Sequence, residues 1–248
     1  METIQANKIA ADITVSDSVY ARYIKRAIDF VLAFAALVVL SPVLLVLMVV
    51  GAVAMKGNPF FTQLRPGLVD PKTGREQIFK LIKFRTMTCE RDADGNLLPD
   101  DKRLTRYGKL LRDTSLDELP ELLNILVGDM AVVGPRPQLV RDMTFMTPEQ
   151  RLRHRVRPGL TGLAQVSGRN ALAWENKLAI DLQYIQKVTF AEDWRIIFTT
   201  IGKVFKREDI SADGMVTAED YGDYLLRIGA VDARRYEDLQ AEARAYMG

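Results

Sequence analysis

Residues 30–55 read FVLAFAALVVLSPVLLVLMVVGAVAM, an uncharged run flanked by Asp29 and Lys56. A stretch this long and apolar does not rest on a water-facing surface. As a straight helix it would reach ~39 Å, more than the ~30 Å hydrocarbon core of a bilayer, so a membrane segment is the default reading. Two features argue against a simple crossing. Ser41-Pro42 sits near the centre, where Pro42 removes a backbone donor and crowds the preceding turn. Basic residues also flank both ends: Arg22, Lys25 and Arg26 before the run, Lys56, Arg65, Lys72 and Arg75 after it. Flanks rich in Lys and Arg stay in the cytoplasm, which puts both ends on one side. The favoured reading is a re-entrant helix, broken at Ser41-Pro42, that dips into one leaflet and returns. Each half, about 12 residues or ~18 Å, reaches roughly midway through a bilayer. The carbonyl freed by Pro42 needs a partner, and the Ser41 hydroxyl is a candidate. A proline-kinked span is the alternative.

The 248 residues leave room for one sizeable soluble domain beside that element. The formal net charge is +2 but unevenly spread: Glu208 to Gly248 holds ten acids and four bases, a net of −6, which leaves +8 on the rest. A basic body suits an anionic membrane surface, a phosphorylated substrate or nucleic acid; the membrane run argues against nucleic acid. A single cysteine, Cys89, excludes an internal disulfide and suits a reducing compartment. A single histidine, His154, excludes paired-histidine chemistry. Its arginine-rich surroundings predict a solvated side chain, and Cys89, after a strand, is read as packing. The apolar run starts too late and runs too long for a secretory signal peptide. No dinucleotide fingerprint, Walker motif or GxSxG elbow occurs.

The chain divides into a lead-in 1–29, the membrane segment 30–55, a body 56–207 and an acidic extension 208–248. The body reads as mainly α with short β elements, an α+β class. Phe60-Phe61 and Ile78 to Phe84 form a hairpin-like pair, with Pro66 to Gly74 as a turn-rich segment between them. Leu104 to Leu111 is a short helix. An amphipathic helix follows, with Leu119, Leu122, Leu123 and Leu126 at helical spacing. Ser115 as N-cap makes a capping box with Glu118; Asp117 as N-cap instead puts Pro120 in the tolerant first turn. Thr147 to Arg157 reads as a basic helix, Gly159 to Asn170 as a glycine-punctuated loop, and Ala173 to Lys187 as a helix. Asp193 to Arg207 is the best amphipathic helix, with Trp194, Ile197, Phe198, Ile201, Val204 and Phe205 on one stripe. Core packing is the commoner meaning of such a stripe; lying on a membrane surface is the other. The extension carries helices at Ala218 to Ile228 and Val231 to Met247, which fold back on the basic body or mediate self-association.

Asp117 and Glu118, with Arg112 five residues before Asp117 and Arg136 displayed between two prolines, suggest phosphate chemistry. One carboxylate can hold a divalent cation and the other can attack phosphorus. Planar guanidinium forks suit non-reacting phosphate oxygens, and a helix N-terminus favours an anion. Position alone gives a plainer meaning: first-turn acids cap helices, and surface arginines form ion pairs.

From Lys25 to about Asp213 the chain resembles the monotopic phosphoglycosyl transferases of the bacterial sugar transferase family. The matching blocks are the basic-flanked run with Ser41-Pro42; Lys83-Phe84-Arg85-Thr86-Met87; Arg112 to Pro120; Gly128-Asp129-Met130; Gly134-Pro135-Arg136-Pro137; Arg157 to Gly162; and Gln165 to Asn170. The resemblance implies a small, minimal family member with a re-entrant membrane helix at the cytoplasmic face of the bacterial inner membrane. It implies transfer of a sugar phosphate from a UDP-sugar to undecaprenyl phosphate with release of UMP. Asp117 would be the nucleophile and Glu118 would help hold Mg²⁺. Arg112 and Arg136, and more weakly Lys83, would bind phosphate oxygens; Gln165 and Arg169 would line the donor pocket. A homodimer fits the tail and the family's habit. The chain departs from the family at Gly214-Met215-Val216-Thr217, where a histidine is common, and in its longer tail. The competing reading is a non-catalytic, membrane-tethered scaffold for envelope glycan enzymes.

Overall fold

A computed structural model describes residues 13–168, 172–206 and 219–247. Arg169, Asn170 and the Gly214-Met215-Val216-Thr217 segment lie outside the described residues. The chain enters through a π-helical turn at Tyr20–Ile24 and continues as α1 Lys25–Ala54. An antiparallel hairpin follows, β1 Phe60–Val69 and β2 Glu76–Phe84. Next come α2 Asp100–Arg103, α3 Arg106–Asp113, a 3₁₀ turn Leu116–Glu118 and α4 Glu121–Val127. Strand β3 Ala131–Val133 pairs in parallel with β4 Gly159–Thr161, and between them lie α5 Val140–Met143, α6 Pro148–Arg151 and a 3₁₀ turn Leu152–Arg155. The chain continues with α7 Leu163–Ser167, α8 Trp174–Gln186, α9 Phe190–Lys206, α10 Tyr221–Arg227 and α11 Ala233–Met247. The mainly helical class with short strands is as expected.

Helix α1 runs uninterrupted through Ser41 and Pro42, so no break in helical structure divides it into two halves. The reason lies in one bond. Pro42 cannot donate to the Val38 carbonyl, and the Ser41 hydroxyl donates to that oxygen instead, at 2.8 Å. With the orphaned acceptor satisfied, the helix tolerates the proline. Together with its entry turn it is one helix long and apolar enough to cross a membrane. Its outer side, including Phe34, Val39, Val46 and Val53, has no protein cover.

Both ends of α1 nevertheless dock on the same body. Near the start, buried Asp29 accepts from the Val132 amide at 3.0 Å. Ala33 joins a core cluster with Phe79, Leu81, Leu122, Ile125 and Met130, and Leu37 and Leu40 pack against it. Arg26 donates to the Ile125 and Leu126 carbonyls at 2.6 and 2.7 Å, a cation closing the C-terminal end of α4. Near the other end, the Tyr107 hydroxyl of α3 donates to the Leu47 carbonyl at 2.7 Å, and Met55 is buried.

Helix α9 corrects the expectation of a single core-facing stripe. Its apolar residues divide between two faces. Ile196 is fully buried in a cluster with Val133, Tyr184, Ile185 and Val188, and Ile197 packs against it. Phe190, Phe198 and Ile201 are exposed, Phe198 by 64%, and the Trp194 ring lies tilted against both Phe190 and Phe198. Spacing at i, i+4, i+8 puts these aromatics in one row. Asp193 ties the helix to the membrane segment, accepting from Lys25 Nζ, Tyr20 Oη and Tyr184 Oη, each at 2.7 Å.

Other corrections follow from packing. The strands are longer than expected: Pro66 and Gly67 lie within β1 and are buried, leaving the turn to residues 70–75. The basic helix at 147–157 splits into α6 and a 3₁₀ turn, and the 159–170 loop contains β4 and α7. His154 is buried, not solvated, with Nδ1 3.1 Å from Glu76 Oε1, and Arg153 beside it is buried against Asp181 at 2.7 Å. Burial first, then the neighbouring arginines, holds His154 down to about 4, so it is neutral near pH 7. Cys89 is exposed, not packed.

Helix α3 is seated directly on Thr86, two residues past the hairpin. Thr86 O accepts from the Thr105 amide at 3.3 Å, and a Cβ on Gly108 would lie 1.9 Å from that oxygen. Gly108→Ala is therefore expected to destabilise the chain by about 3 kcal/mol, roughly 6–12 °C in melting temperature in detergent, because backbone must move to admit one methyl. A melting temperature within 2 °C of the parent would refute this packing.

Candidate active site

The acids sit just outside a helix, on a tight turn. Ser115 takes a left-handed conformation, φ 56°, and Leu116–Glu118 form the 3₁₀ turn. Pro120 then stands at the N-cap of α4. Neither Ser115 nor Asp117 is the cap of that helix: the left-handed residue and the 3₁₀ turn delay its start to Glu121. Leu122 is buried, whereas Leu123, expected on the same face, is exposed.

Three carboxylates, Asp117, Glu118 and Glu121, are drawn together by two cations. Lys83, at the end of β2, donates to Glu118 Oε1 at 2.8 Å and lies 3.1 Å from Glu121 Oε1. Arg136 reaches Glu118 Oε1 at 2.5 Å. Lys83 is delivered by Asn124 of α4, whose amide group serves as a strand partner for β2. Asn124 Oδ1 accepts from the Ile82 amide at 3.1 Å, and its Nδ2 donates to the Lys80 carbonyl at 2.8 Å. The Arg136 turn is pinned by close strand contact: Gly134 donates to Thr161 O at 2.9 Å and Gly159 to Pro135 O at 3.0 Å. A Cβ on Gly159 would lie 2.1 Å from the Gly134 nitrogen, so that approach requires glycine. Two further arginines grip carbonyls of the turn: Arg153 at Arg136 O, 2.6 Å, and Arg65 at Pro137 O, 3.1 Å.

Charge sorts these acids into two states. Burial alone would raise Glu118, but Arg136 and Lys83 outweigh it and hold its carboxyl far below the usual range. Asp117 is pushed up to about 6 by burial first and the Glu118 charge second, with Lys83, Arg112 and Arg136 opposing. Glu121, chiefly through burial, rises to about 7. For Lys83 burial pulls down, but Glu118 and Glu121 outweigh it and the ammonium is raised. One permanently ionised acid beside one poised near neutrality is an arrangement suited to nucleophilic work.

Among the described residues no group of three or more His, Cys, Asp or Glu side chains could hold a metal by itself. The donor set nonetheless fits a hard divalent ion. Carboxylate oxygens are its ligands, magnesium commonly takes one or two of them and completes its shell with phosphates and water, and Asp117 and Glu118 stand side by side on the same 3₁₀ turn.

The expected site residues mostly converge. Arg112 donates Nε to Thr86 Oγ1 at 3.1 Å, and its charge is felt at Asp117. Gln165 lines a cavity of about 350 Å³ next to Glu118, walled by Leu116, Leu160, Ile197, Ile201 and Lys203. Gln165 Oε1 is buried with no hydrogen-bond partner. Arg169 lies outside the described residues. Glu121, Asn124, Arg65 and Arg153 were not expected at the site. Arg65 had been read as membrane flank; its burial pulls it down to about 10, with Arg136 adding. A polar Asn124 on the face otherwise formed by Leu122 and Ile125 was the one available signal.

The site is thus a set of carboxylates gripped by ammonium and guanidinium groups, in a body that carries a long helix with an uncovered apolar side. Residues 20–207 match the family described as bacterial sugar transferase, and the chain belongs to that family. It is similar to the "Uncharacterized sugar transferase EpsL" of Bacillus subtilis (strain 168), 45% identical over 200 residues, covering 80% of this chain and 95% of that one. It is 38% identical over 191 residues to the UDP-glucose:undecaprenyl-phosphate glucose-1-phosphate transferase of Klebsiella pneumoniae, 73% of this chain and 40% of that protein. It is 35% identical over 205 residues to the UDP-galactose-lipid carrier transferase of Erwinia amylovora, 75% of this chain and 41% of that protein. The chain is a phosphoglycosyl transferase.

Lys83→Met removes a positive charge that favours ionised Asp117. The Asp117 titration is expected to move upward from about 6, read by ¹³C NMR of carboxyl-labelled aspartate. A downward or absent shift would remove Lys83 from the site's electrostatics.

Proposed function

We propose that this enzyme transfers a sugar 1-phosphate from a UDP-sugar to undecaprenyl phosphate in two steps at the cytoplasmic face of the inner membrane. In the first, an Asp117 carboxylate oxygen attacks the sugar-linked phosphorus. The bond from that phosphorus to the bridging oxygen breaks, and UMP leaves with the electron pair. In the second, a phosphate oxygen of undecaprenyl phosphate attacks the same phosphorus and the Asp117 carboxylate departs, giving a lipid diphosphosugar. Arg136, Arg112 and Lys83 bind phosphate oxygens and offset the charge that gathers on them. Glu118, with the donor's phosphates, would hold Mg²⁺, which supplies further charge neutralisation when bound.

The observation that carries this reading is the grip of Lys83 and Arg136 on one oxygen of Glu118, at 2.8 and 2.5 Å, with Asp117 adjacent on the same turn. A scaffold surface would have no reason to withdraw carboxylates from water against Lys83 and Arg136. For the base of the donor we assign the cavity beside Glu118. Buried Gln165 Oε1 is an acceptor in want of a donor, and a nucleobase N–H supplies one.

The membrane segment is assigned as re-entrant because both its ends dock on one body. Pro42, with its carbonyl debt met by Ser41, lets the helix bend without losing hydrogen bonds. The exposed row on α9 would share that membrane surface, being tied to the start of α1 by Asp193.

Asp117→Asn is expected to abolish UMP release and covalent labelling by donor while leaving the melting temperature unchanged; normal turnover would end the nucleophile assignment. In the parent, UMP release should fall about tenfold per pH unit below about 6, since protonated Asp117 cannot attack; a rate flat from pH 7 to 5 contradicts it. Gln165→Ala should raise the donor KM about fivefold, one hydrogen bond's worth, with the KM for undecaprenyl phosphate unchanged. Relatives named for glucose and for galactose match almost equally, at 38% and 35%, so the sugar must be read from UMP release over a panel of UDP-sugars.

A further inference from the structure

The acidic extension folds back on the body, and it does so beside the Arg136 turn. Tyr221 and Leu225 of α10 and Leu239 of α11 share one core cluster with Phe145, Met146, Trp174 and Leu178. Gly222 lies flat against the Phe145 ring, where a Cβ would be 2.6 Å from a ring carbon. Both helices lie beyond the family match at residues 20–207.

One buried carboxylate joins this extension to the active site. Asp142 Oδ1 accepts from the Tyr221 amide at 2.9 Å, and Asp142 Oδ2 accepts from the Leu139 amide at 3.2 Å. Arg141 and Asp220 form an ion pair alongside. Leu139 is three residues beyond Arg136, and the intervening segment is poor in ways of being held. Pro137 has no N–H, as Pro135 before the arginine has none. The backbone there is fastened by its carbonyls to Arg153 and Arg65, and then by the Leu139 amide to Asp142. Arg65 also feels the Asp142 charge, so the same carboxylate bears on both fastenings.

We propose that the C-terminal extension is a brace that sets the Arg136 turn, acting through Asp142 as a positioning residue. The inference rests on the phosphate-binding role proposed for Arg136. When the first turn of α10 leaves, Asp142 loses one of its two amide partners and an adjacent ion pair. The carboxylate is then free to turn from Leu139, and the segment carrying Arg136 loosens without losing its place in the fold.

The test compares the full chain, Asp142→Asn, a chain ending at residue 218, and the two changes combined. An asparagine keeps the shape but turns an amide nitrogen toward one of the two N–H donors. Amide hydrogen exchange of peptides covering 134–142 should speed at least tenfold in each single variant. The donor KM should rise about fivefold with kcat within about twofold, and the combination should be no worse than the truncation. Exchange and KM unchanged in folded Asp142→Asn would overturn the brace, whether or not the truncated chain folds. So would losses that simply add, or a fall in melting temperature alone, which would mark the extension as bulk stabilisation. Absence of UMP release from any UDP-sugar in the parent would instead defeat the proposed function, and the exchange measurement would still read the coupling.

Discussion

Glu118 is held between Lys83 and Arg136, and the rest of the site depends on that grip. Three carboxylates within five residues, Glu121 buried and Asp117 and Glu118 partly so, would repel one another and draw protons. Two cations arriving from distant parts of the chain prevent this for one acid and leave the others near neutrality. The fold can be seen as the means of bringing those cations in. Asn124 registers α4 against β2, and so sets Lys83 opposite Glu118. The short β3–β4 pair, closed by Gly134 and Gly159, sets the Arg136 turn on the other side.

The same helix that carries Glu121 at its start is closed at its end by Arg26 of the membrane segment. The height of the carboxylates over the apolar surface is therefore a consequence of direct hydrogen bonds, not of a linker. Asp193 plays a corresponding part for α9, joining it to Lys25 and Tyr20 at the entrance of α1. Two elements with uncovered apolar faces are thereby locked together and to the body at Asp193.

Buried polar networks away from the carboxylates have a related use. Arg153, paired with Asp181, and Arg65, set against Gln63, each donate to one carbonyl of the Arg136 turn. A turn with two prolines has few amides to offer, so it is fixed through its acceptors. That explains why arginines so deeply placed are kept in a basic body where surface positions would cost less.

Much of this was legible from residue order. The uncharged run, its basic flanks and the Ser41-Pro42 pair announced a membrane element. Asp117, Glu118, Arg112 and Arg136 suggested phosphate chemistry by residue type, but their spacing fitted helix caps and surface ion pairs equally well, and it was the family resemblance that favoured the former. What could not be read were pairings across the chain. Lys83 with Glu121, Asn124 with the β2 backbone, Arg65 with the Arg136 turn, and His154 in a buried network all join residues far apart in sequence or look, in isolation, like surface polarity. The amphipathic stripe of α9 was legible as apolar but not as divided, since a helical period says which residues share a face and not what covers it. Sequence alone determined which chemistry the chain holds and that part of it meets lipid. Tertiary structure decided which acid is ionised and which is poised, because a side chain's charge state follows from what packs around it and not from its neighbours along the backbone.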